Sequence, residues 1–127
     1  MKIILIGTVE FSKEMLKALM ENNSKIEAVI TSDNSEINSD YYDLKPLCEK
    51  NGIPCHITDD INSNKTINLI KDYKADVIYC LGWSRLLKKD LISLPSLGVI
   101  GYHPAELPKN RGRHPIIWSL VLMLIIF

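Results

Sequence analysis

The chain has 127 residues, of which 46% are hydrophobic and 24% charged, the usual composition of one globular domain with its own core. Its Lys and Arg residues number 15 and its Asp and Glu residues 15, so no global field draws the chain to nucleic acid, a membrane surface or an acidic partner. The three cysteines, Cys48, Cys55 and Cys80, are odd in number, which favours a reduced, cytoplasmic setting over a disulfide framework.

The N-terminal part of the chain predicts a strand, a helix and a second strand. Lys2–Ile6 is a short apolar strand, and because the run stops at Gly7 it is too brief for a signal peptide. Apolar residues then recur at helical spacing over residues 11–20. A second strand is predicted at residues 26–31, followed by a polar loop at 32–40.

The middle of the chain continues this alternation. A helix is predicted at residues 41–51, with Gly52 placed where a helix C-terminus favours a positive φ. Pro46 lies inside that stretch, so it must occupy the first turn or introduce a kink. A short strand at residues 53–57 and a helix at 66–73 follow.

The next elements end in a loop that opens with a histidine. Residues 77–81 predict a fourth strand, residues 87–94 a short helix, and residues 98–102 a fifth strand that runs into His103. Strands alternating with helices predict a doubly wound α/β domain, with a mainly parallel sheet and ligands at the carboxyl ends of its strands. We expect a single domain over residues 1–127.

The last apolar run, residues 116–127, is well short of the roughly 20 residues that a membrane-spanning helix needs. We therefore expect no membrane segment. A helix over residues 120–127 has no polar face and should be buried against something. If nothing covers it, it exposes a large apolar patch, which predicts self-association through this C-terminal helix.

Several common sites are disfavoured. The first turn reads GTVEF from Gly7 to Phe11, with one glycine where a dinucleotide-binding module needs G-x-G-x-x-G. The chain has no Gly-Lys-Ser or Gly-Lys-Thr for a P-loop. It also has no CxxC or HxxxH pair, so we expect no metal site and expect the cysteines to pack as small hydrophobic residues.

The most informative stretch runs from Leu81 to Trp118 and reads LGWSRLLKKDLISLPSLGVIGYHPAELPKNRGRHPIIW. It resembles the folate-dependent formyltransferase family, which includes methionyl-tRNA formyltransferase, glycinamide ribonucleotide transformylase and the sugar N-formyltransferases. The shared features are a Gly-aromatic-x-Arg-Leu-Leu segment after the fourth strand, a His after the fifth, and Leu-Pro-x-x-Arg-Gly in the following loop. The opening ILIGTVEFS is also similar to the family's first turn, so the resemblance covers the whole chain.

The resemblance implies transfer of a formyl group from 10-formyltetrahydrofolate to an amine. Such a reaction passes through a tetrahedral oxyanion, which needs a hydrogen-bond donor and a group that manages the proton of the amine. His103 matches the family's catalytic histidine, and Pro104 stiffens the turn that presents its ring. Asn110, in the same loop, is the second catalytic candidate. The alternative for His103 is a strand-end histidine that bonds a loop carbonyl.

The resemblance also assigns the donor pocket to the segment after the fourth strand. The implied cofactor-binding residues are Gly82, Trp83, Arg85, Leu86 and Leu87. Gly82 permits close approach of the backbone to a pterin ring, and the two leucines can pack a flat heterocycle. In the alternative interpretation Trp83, Leu86 and Leu87 are simply part of the core.

Acceptor binding is expected from two turns. We assign Gly7 and Thr8 in the first turn, and Arg111, Gly112 and Arg113 after the fifth strand, as substrate-binding residues. The guanidinium fork suits a phosphate or carboxylate of the acceptor, although solvated loop cations are the alternative for both arginines. An amino-sugar nucleotide is preferred to methionyl-tRNA, since the neutral chain offers no evident patch for a tRNA backbone.

Two departures from the family pattern bear on activity. Gly101 stands two residues before His103, where the best-known branches have an asparagine, so that oxyanion donor is missing. The family's catalytic aspartate lies on a loop after the helix that begins at Pro115, and the chain ends before it. We therefore expect an incomplete, truncated domain that is inactive alone; the alternative is a catalytically dead remnant that serves as a folate-binding or interaction module.

Overall fold

The computed structural model describes residues 1–33, 39–105, 107–109 and 111–121. Within these residues five strands and five helices alternate along the chain, beginning with a strand and ending with a helix. The strands are β1 (Lys2–Ile6), β2 (Lys25–Thr31), β3 (Cys55–Ile57), β4 (Val77–Cys80) and β5 (Val99–Gly101). The helices are α1 (Glu10–Glu21), α2 (Lys45–Lys50), α3 (Asn64–Asp72), α4 (Lys89–Ile92) and α5 (Pro115–Val121).

The five strands form one parallel sheet in the order β3-β2-β1-β4-β5. The central strand β1 pairs with β2 on one side and with β4 on the other, so that Ile4 lies between Ala28 and Ile78. The chain first winds outward from β1 to β3 and then crosses back to β4 and β5. This arrangement confirms the predicted doubly wound α/β fold with a parallel sheet.

Each face of the sheet has its own core, because successive side chains of a strand point to opposite faces. On one face Ile4, Ile6 and Ile78 pack with Ile70 of α3 and Leu91 of α4. On the other face Leu5 and Val29 pack with side chains from α1 and α2, namely Leu16 and Cys48. The helices therefore cover both faces, as a parallel sheet requires.

The helix predicted at residues 41–51 is shorter in the structure, beginning at Lys45. The preceding residues hydrogen-bond elsewhere: Tyr41 forms an antiparallel bridge with Val9, and the Tyr42 N–H donates to the Thr8 carbonyl at 3.0 Å. Pro46 lies in the first turn, where its missing N–H costs little. Residues 34–38 of the predicted polar loop lie outside the described residues.

Gly52 follows α2 with a φ of +67°, as expected for a helix C-terminus. The helix predicted at residues 87–94 is reduced to α4, Lys89–Ile92. In the part of the chain that the structure describes, no helix combines the length and apolarity needed to cross a bilayer.

Candidate active site at the carboxyl end of the sheet

A cavity of about 810 Å³ opens where β1, β4 and β5 end. This is the point where the strand order reverses, the usual ligand site of a doubly wound sheet. Its described lining comes from the turn after β1, the segments after β4 and β5, the start of α5 and one residue before α2. The residues are Val9, Phe11, Asp40, Cys80, Gly82, Trp83, Ser84, Tyr102, His103, Pro104, Gly112, Arg113, His114, Pro115, Ile116 and Ile117.

The turn after β1 packs directly against the end of β4 through Ser12. The Ser12 hydroxyl is fully buried, donates to the Leu81 carbonyl at 2.6 Å and accepts from the Val9 N–H at 3.2 Å. A Cβ at Gly7 or at Gly82 would overlap Ser12 Oγ, and Gly82 also has a φ of +77°. Both glycines are therefore needed for this close approach. Ser12 was missed in the sequence, although a serine four residues before Leu16 lies on the apolar face of a helix.

Thr8, predicted to bind substrate with Gly7, is buried in the same turn. Its hydroxyl donates to the Ser32 carbonyl at 3.2 Å, and its N–H donates to the Gly82 carbonyl at 3.1 Å. Its own carbonyl accepts from Tyr42 at 3.0 Å. All these polar groups hold the ends of β1, β2 and β4 together, and substrate binding by Gly7 and Thr8 stays a prediction.

His103 is the second residue after β5 and lines the cavity, half-buried. Its carbonyl accepts from the Ala105 N–H at 2.8 Å, which turns the chain immediately after Pro104. The neighbouring Tyr102 is exposed, and its ring lies 5.4 Å from that of Phe11 on α1. The strand end thus presents the histidine at the cavity, where the sequence placed it.

The remaining loop candidates divide into three groups. Gly112 and Arg113 line the cavity, whereas Arg111 is exposed and does not appear in the described lining. Gly112 has a φ of +134°, and His114 beside it has a φ of +55°. Asn110, the second catalytic candidate, lies outside the described residues.

The donor-pocket candidates are only partly brought together. Gly82 and Trp83 line the cavity, and Trp83 also packs against the core, with its indole Nε1 buried and without a hydrogen-bond partner among the described residues. Leu87 packs against the same core, as the alternative interpretation proposed. Leu86 is 87% exposed, so it belongs neither to the core nor to the described lining.

The segment of Arg85 and Leu86 is tied to the loop before α3 instead. The Arg85 guanidinium donates to the Asp59 carbonyl, and Asn62 donates through Nδ2 to the Leu86 carbonyl at 2.9 Å. Asn62 also accepts from the Lys88 N–H at 2.8 Å. These contacts fix the backbone beyond the cavity, and a cofactor role for Arg85, Leu86 and Leu87 stays a prediction.

Cys80 lines the cavity, whereas its partner in β5, Gly101, lies outside the described lining. Burial raises the pKa of Cys80 to about 11, so its thiol is neutral near pH 7 and a poor nucleophile. A Cβ at Gly101 would lie 3.7 Å from the Cys80 carbonyl, an ordinary contact, so the backbone at this position tolerates a Cβ. No group of three His, Cys, Asp or Glu side chains in the described ranges is arranged to hold a metal ion.

The chain is similar to known proteins over nearly its whole length. A family model described as formyl transferase matches residues 1–122. Methionyl-tRNA formyltransferase of Thermotoga sp. (strain RQ2) is 31% identical over 120 residues, which are 91% of this chain and 38% of that protein. The enzyme of the same name from Orientia tsutsugamushi is 32% identical over 125 residues, 95% of this chain and 41% of that protein. The chain thus spans about two fifths of the length of these relatives.

Solved structures show the same fold. Phosphoribosylglycinamide formyltransferase from Bacillus halodurans superposes with a TM-score of 0.76 at 14% identity, over 96% of this chain and 66% of that one. A formyltetrahydrofolate deformylase from Pseudomonas syringae gives a TM-score of 0.72 at 19% identity, over 95% of this chain and 41% of that one. At these identities the likeness concerns the fold alone.

Proposed function

This chain belongs to the formyl transferase family, and from that membership we propose that its cavity binds a 10-formyltetrahydrofolate donor and an amine acceptor for transfer of the formyl group. One observation carries the proposal: His103, at the end of β5, shares a single cavity with Gly82 and Trp83, at the end of β4. The segment that we propose for the donor and the histidine that we propose for catalysis therefore lie at the same edge of the sheet, where such folds bind ligands.

The donor side of the cavity suits a flat heterocycle. Gly82 has no side chain to keep a ring away from the backbone, and Trp83 supplies an aromatic wall. Ile116 and Ile117 of α5 line the same cavity and contribute further apolar surface. We propose that the pterin lies against Trp83, with its formyl group directed to the end of β5.

His103 is then the group that acts on the transferred carbon. When an amine adds to the formyl carbon, negative charge develops on oxygen and the amine nitrogen must lose a proton. An imidazole at the strand end can donate a hydrogen bond to that oxygen or take part in the proton transfer. We assign His103 this role and leave Asn110 as a candidate for a second donor.

The acceptor we propose is an amino-sugar nucleotide. The zero net charge of the chain supports this choice over a tRNA, whose backbone is usually bound by a basic surface. Methionyl-tRNA is the second candidate, because the two relatives at 31% and 32% identity carry that substrate in their names. Arg113, on the cavity wall, is the residue we propose for an acceptor phosphate.

A second candidate function is folate binding without transfer. Gly101 favours it, because the resemblance implies an asparagine at this position and glycine has no side chain that could donate to an oxyanion. In that case the cavity still takes the pterin, but no asparagine stabilises the oxyanion. The two candidates share the donor pocket and differ only in chemistry.

The donor pocket is tested by fluorescence. The chain has two tryptophans, so a Trp118→Phe background leaves Trp83 as the only indole, and Trp118 is exposed enough for the change to be tolerated. We expect 5-formyltetrahydrofolate to quench Trp83 saturably and to raise the melting temperature, since a ligand of the native state stabilises it. An unchanged spectrum and melting temperature at saturating ligand, in a chain shown to be folded, would remove the donor pocket and both candidate functions.

A further inference from the structure

Asp40 lines the same cavity from a part of the chain that neither the sequence analysis nor the proposed function assigned. It lies between β2 and α2, on the side of the cavity formed by the turn after β1, together with Val9 and Phe11. The donor segment, Gly82 and Trp83, adjoins this side of the cavity, because a Cβ at Gly82 would overlap Val9. An acceptor entering beside the donor would therefore have Asp40 among its neighbours.

The backbone holds Asp40 in place. Its carbonyl accepts from the Glu10 N–H at 3.0 Å, at the first residue of α1. The next residue, Tyr41, forms the antiparallel bridge with Val9, and Tyr42 donates to Thr8. The backbone of residues 40–42 is thus anchored to the turn after β1 and to the first residue of α1, which holds Asp40, an exposed residue, at the cavity.

The charge of Asp40 distinguishes it from the other lining residues. Among the lining residues that the structure describes, it carries the only carboxylate, whereas Arg113, His103 and His114 can carry positive charge. The ion pairs found among the described residues leave this carboxylate unpaired. A cavity lined by a carboxylate and an arginine suits a ligand that has both an ammonium and an anionic group.

From this arrangement we propose that Asp40 is the acceptor-binding residue of the cavity, with its carboxylate holding the ammonium group of an amino-sugar nucleotide. The inference rests on the proposed function, which needs an amine beside the formyl donor. A primary aliphatic amine is protonated near pH 7, so the acceptor arrives as a cation. A charge-assisted hydrogen bond to Asp40 would hold the nitrogen of the acceptor in the cavity beside the formyl donor.

The test uses a pair of ligands that differ at one group. UDP-glucosamine carries an amine where UDP-glucose carries a hydroxyl, and both are titrated calorimetrically into the chain saturated with 5-formyltetrahydrofolate, at a pH below the pKa of the amine. We expect the wild-type chain to prefer UDP-glucosamine by about fivefold, the range of a solvent-accessible ion pair. Asp40→Asn should abolish that preference, and Asp40→Glu should restore part of it.

Asp33→Asn is the matched control. Asp33 is exposed, precedes α2 like Asp40, and is not part of the described cavity lining, so this variant should keep the preference. The inference is overturned if wild type binds the two nucleotides equally or not at all, or if Asp40→Asn keeps the preference. Failure of 5-formyltetrahydrofolate to bind is a separate result, which would overturn the proposed function itself.

Discussion

The hydroxyl of Ser12 donates a hydrogen bond to the carbonyl of Leu81 across 69 positions of sequence, at a distance of 2.6 Å. Because the serine lies on the first turn of α1 and the leucine directly after β4, this bond joins the two segments that form one wall of the cavity. Gly7 and Gly82 leave the space in which it forms. The geometry of the site therefore depends on a residue that does not line it.

Ser12→Ala tests that dependence. The substitution leaves the Leu81 carbonyl and the Val9 N–H without their buried partner, which should cost about 1–3 kcal/mol in free energy of unfolding. Urea denaturation monitored by circular dichroism measures the loss. Ser96→Ala is the control at an exposed position, and it should leave the midpoint nearly unchanged. Equal midpoints for the two variants would show that the bond contributes nothing.

Comparing Gly82→Ala with Gly98→Ala separates the effect of side-chain crowding on stability from the effect of a positive φ. Gly82 and Gly98 both have positive φ, +77° and +93°, but a Cβ at Gly98 meets nothing within 4 Å whereas one at Gly82 overlaps Ser12 and Val9. Gly98→Ala should therefore lower the free energy of unfolding by about 1 kcal/mol, because of its positive φ alone. Gly82→Ala should lower it clearly more, because the added Cβ is also crowded. The same urea experiment compares the two. If Gly98→Ala is the more destabilising, the close approach at Gly82 has been overestimated.

The fold was predictable because its signals are local. The apolar run Lys2–Ile6 is the first strand in the sequence analysis and in the structure, and its alternating side chains fill both cores. The position of His103 at the cavity was predictable as well, since it follows from one strand end and one motif. Family and fold are confirmed by the match over residues 1–122 and by the superposed structures.

What the sequence did not reveal depends on contacts between distant segments. Nothing local indicates that Ser12 reaches Leu81, that Tyr41 leaves its predicted helix to bridge Val9, or that Asp40 joins the cavity. Leu86 contradicts only the alternative interpretation that placed it in the core, because its side chain is exposed, and its assignment to the donor pocket stays a prediction. Each case is decided by packing between elements, which periodicity along the chain does not record.

The cysteines are another such case, since Cys48 seemed isolated in the sequence. In the structure its thiol forms a hydrogen bond with Cys55, and this bond lowers the pKa of Cys55 although burial acts in the opposite direction. The same bond, together with burial, raises the pKa of Cys48. We expect iodoacetamide near pH 8 to modify Cys55 first, because the thiolate is the reactive form and a lowered pKa increases its share. Mass spectrometry of the digested protein identifies the modified cysteine.

Cys48→Ala is the control for that reactivity. Without the hydrogen bond the pKa of Cys55 should rise, and alkylation should slow several-fold even though the site is no less accessible. In this variant Cys80 should react more slowly than Cys55, because burial raises the pKa of Cys80 to about 11. Earlier modification of Cys80 than of Cys55 would contradict this order.

Self-association follows from α5. Its described side chains beyond Pro115 are all more than half exposed, and all are apolar: Ile116, Ile117, Trp118, Leu120 and Val121. A patch of this kind is unusual on a monomer. We expect sedimentation velocity at micromolar concentration to show oligomers, and expect the double variant Trp118→Glu with Val121→Lys to reduce them. A monodisperse wild-type monomer would exclude association through this helix.

The last prediction concerns His103 and needs an assay of transfer. A chimera in which residues 1–122 of this chain, the stretch that the family model matches, replace the corresponding segment of the Thermotoga sp. (strain RQ2) relative provides one. In that chimera, His103→Ala should lower the rate of formyl transfer by about a hundredfold or more, the usual cost of losing a proton-transfer or oxyanion group. Binding of 5-formyltetrahydrofolate should survive, since Gly82 and Trp83 form the donor wall.

His114→Asn is the internal control for this measurement. His114 also lines the cavity but is exposed and has a φ of +55°, a conformation that asparagine tolerates, so the fold should be preserved. We expect the His114→Asn variant to retain most of the transfer rate, because His114 follows the Arg-Gly turn and does not lie at the end of a strand. If His114→Asn lowers the transfer rate and His103→Ala does not, the catalytic histidine is His114 rather than His103. If both variants keep it, the loop orients the substrates and neither imidazole acts on the proton or on the oxyanion.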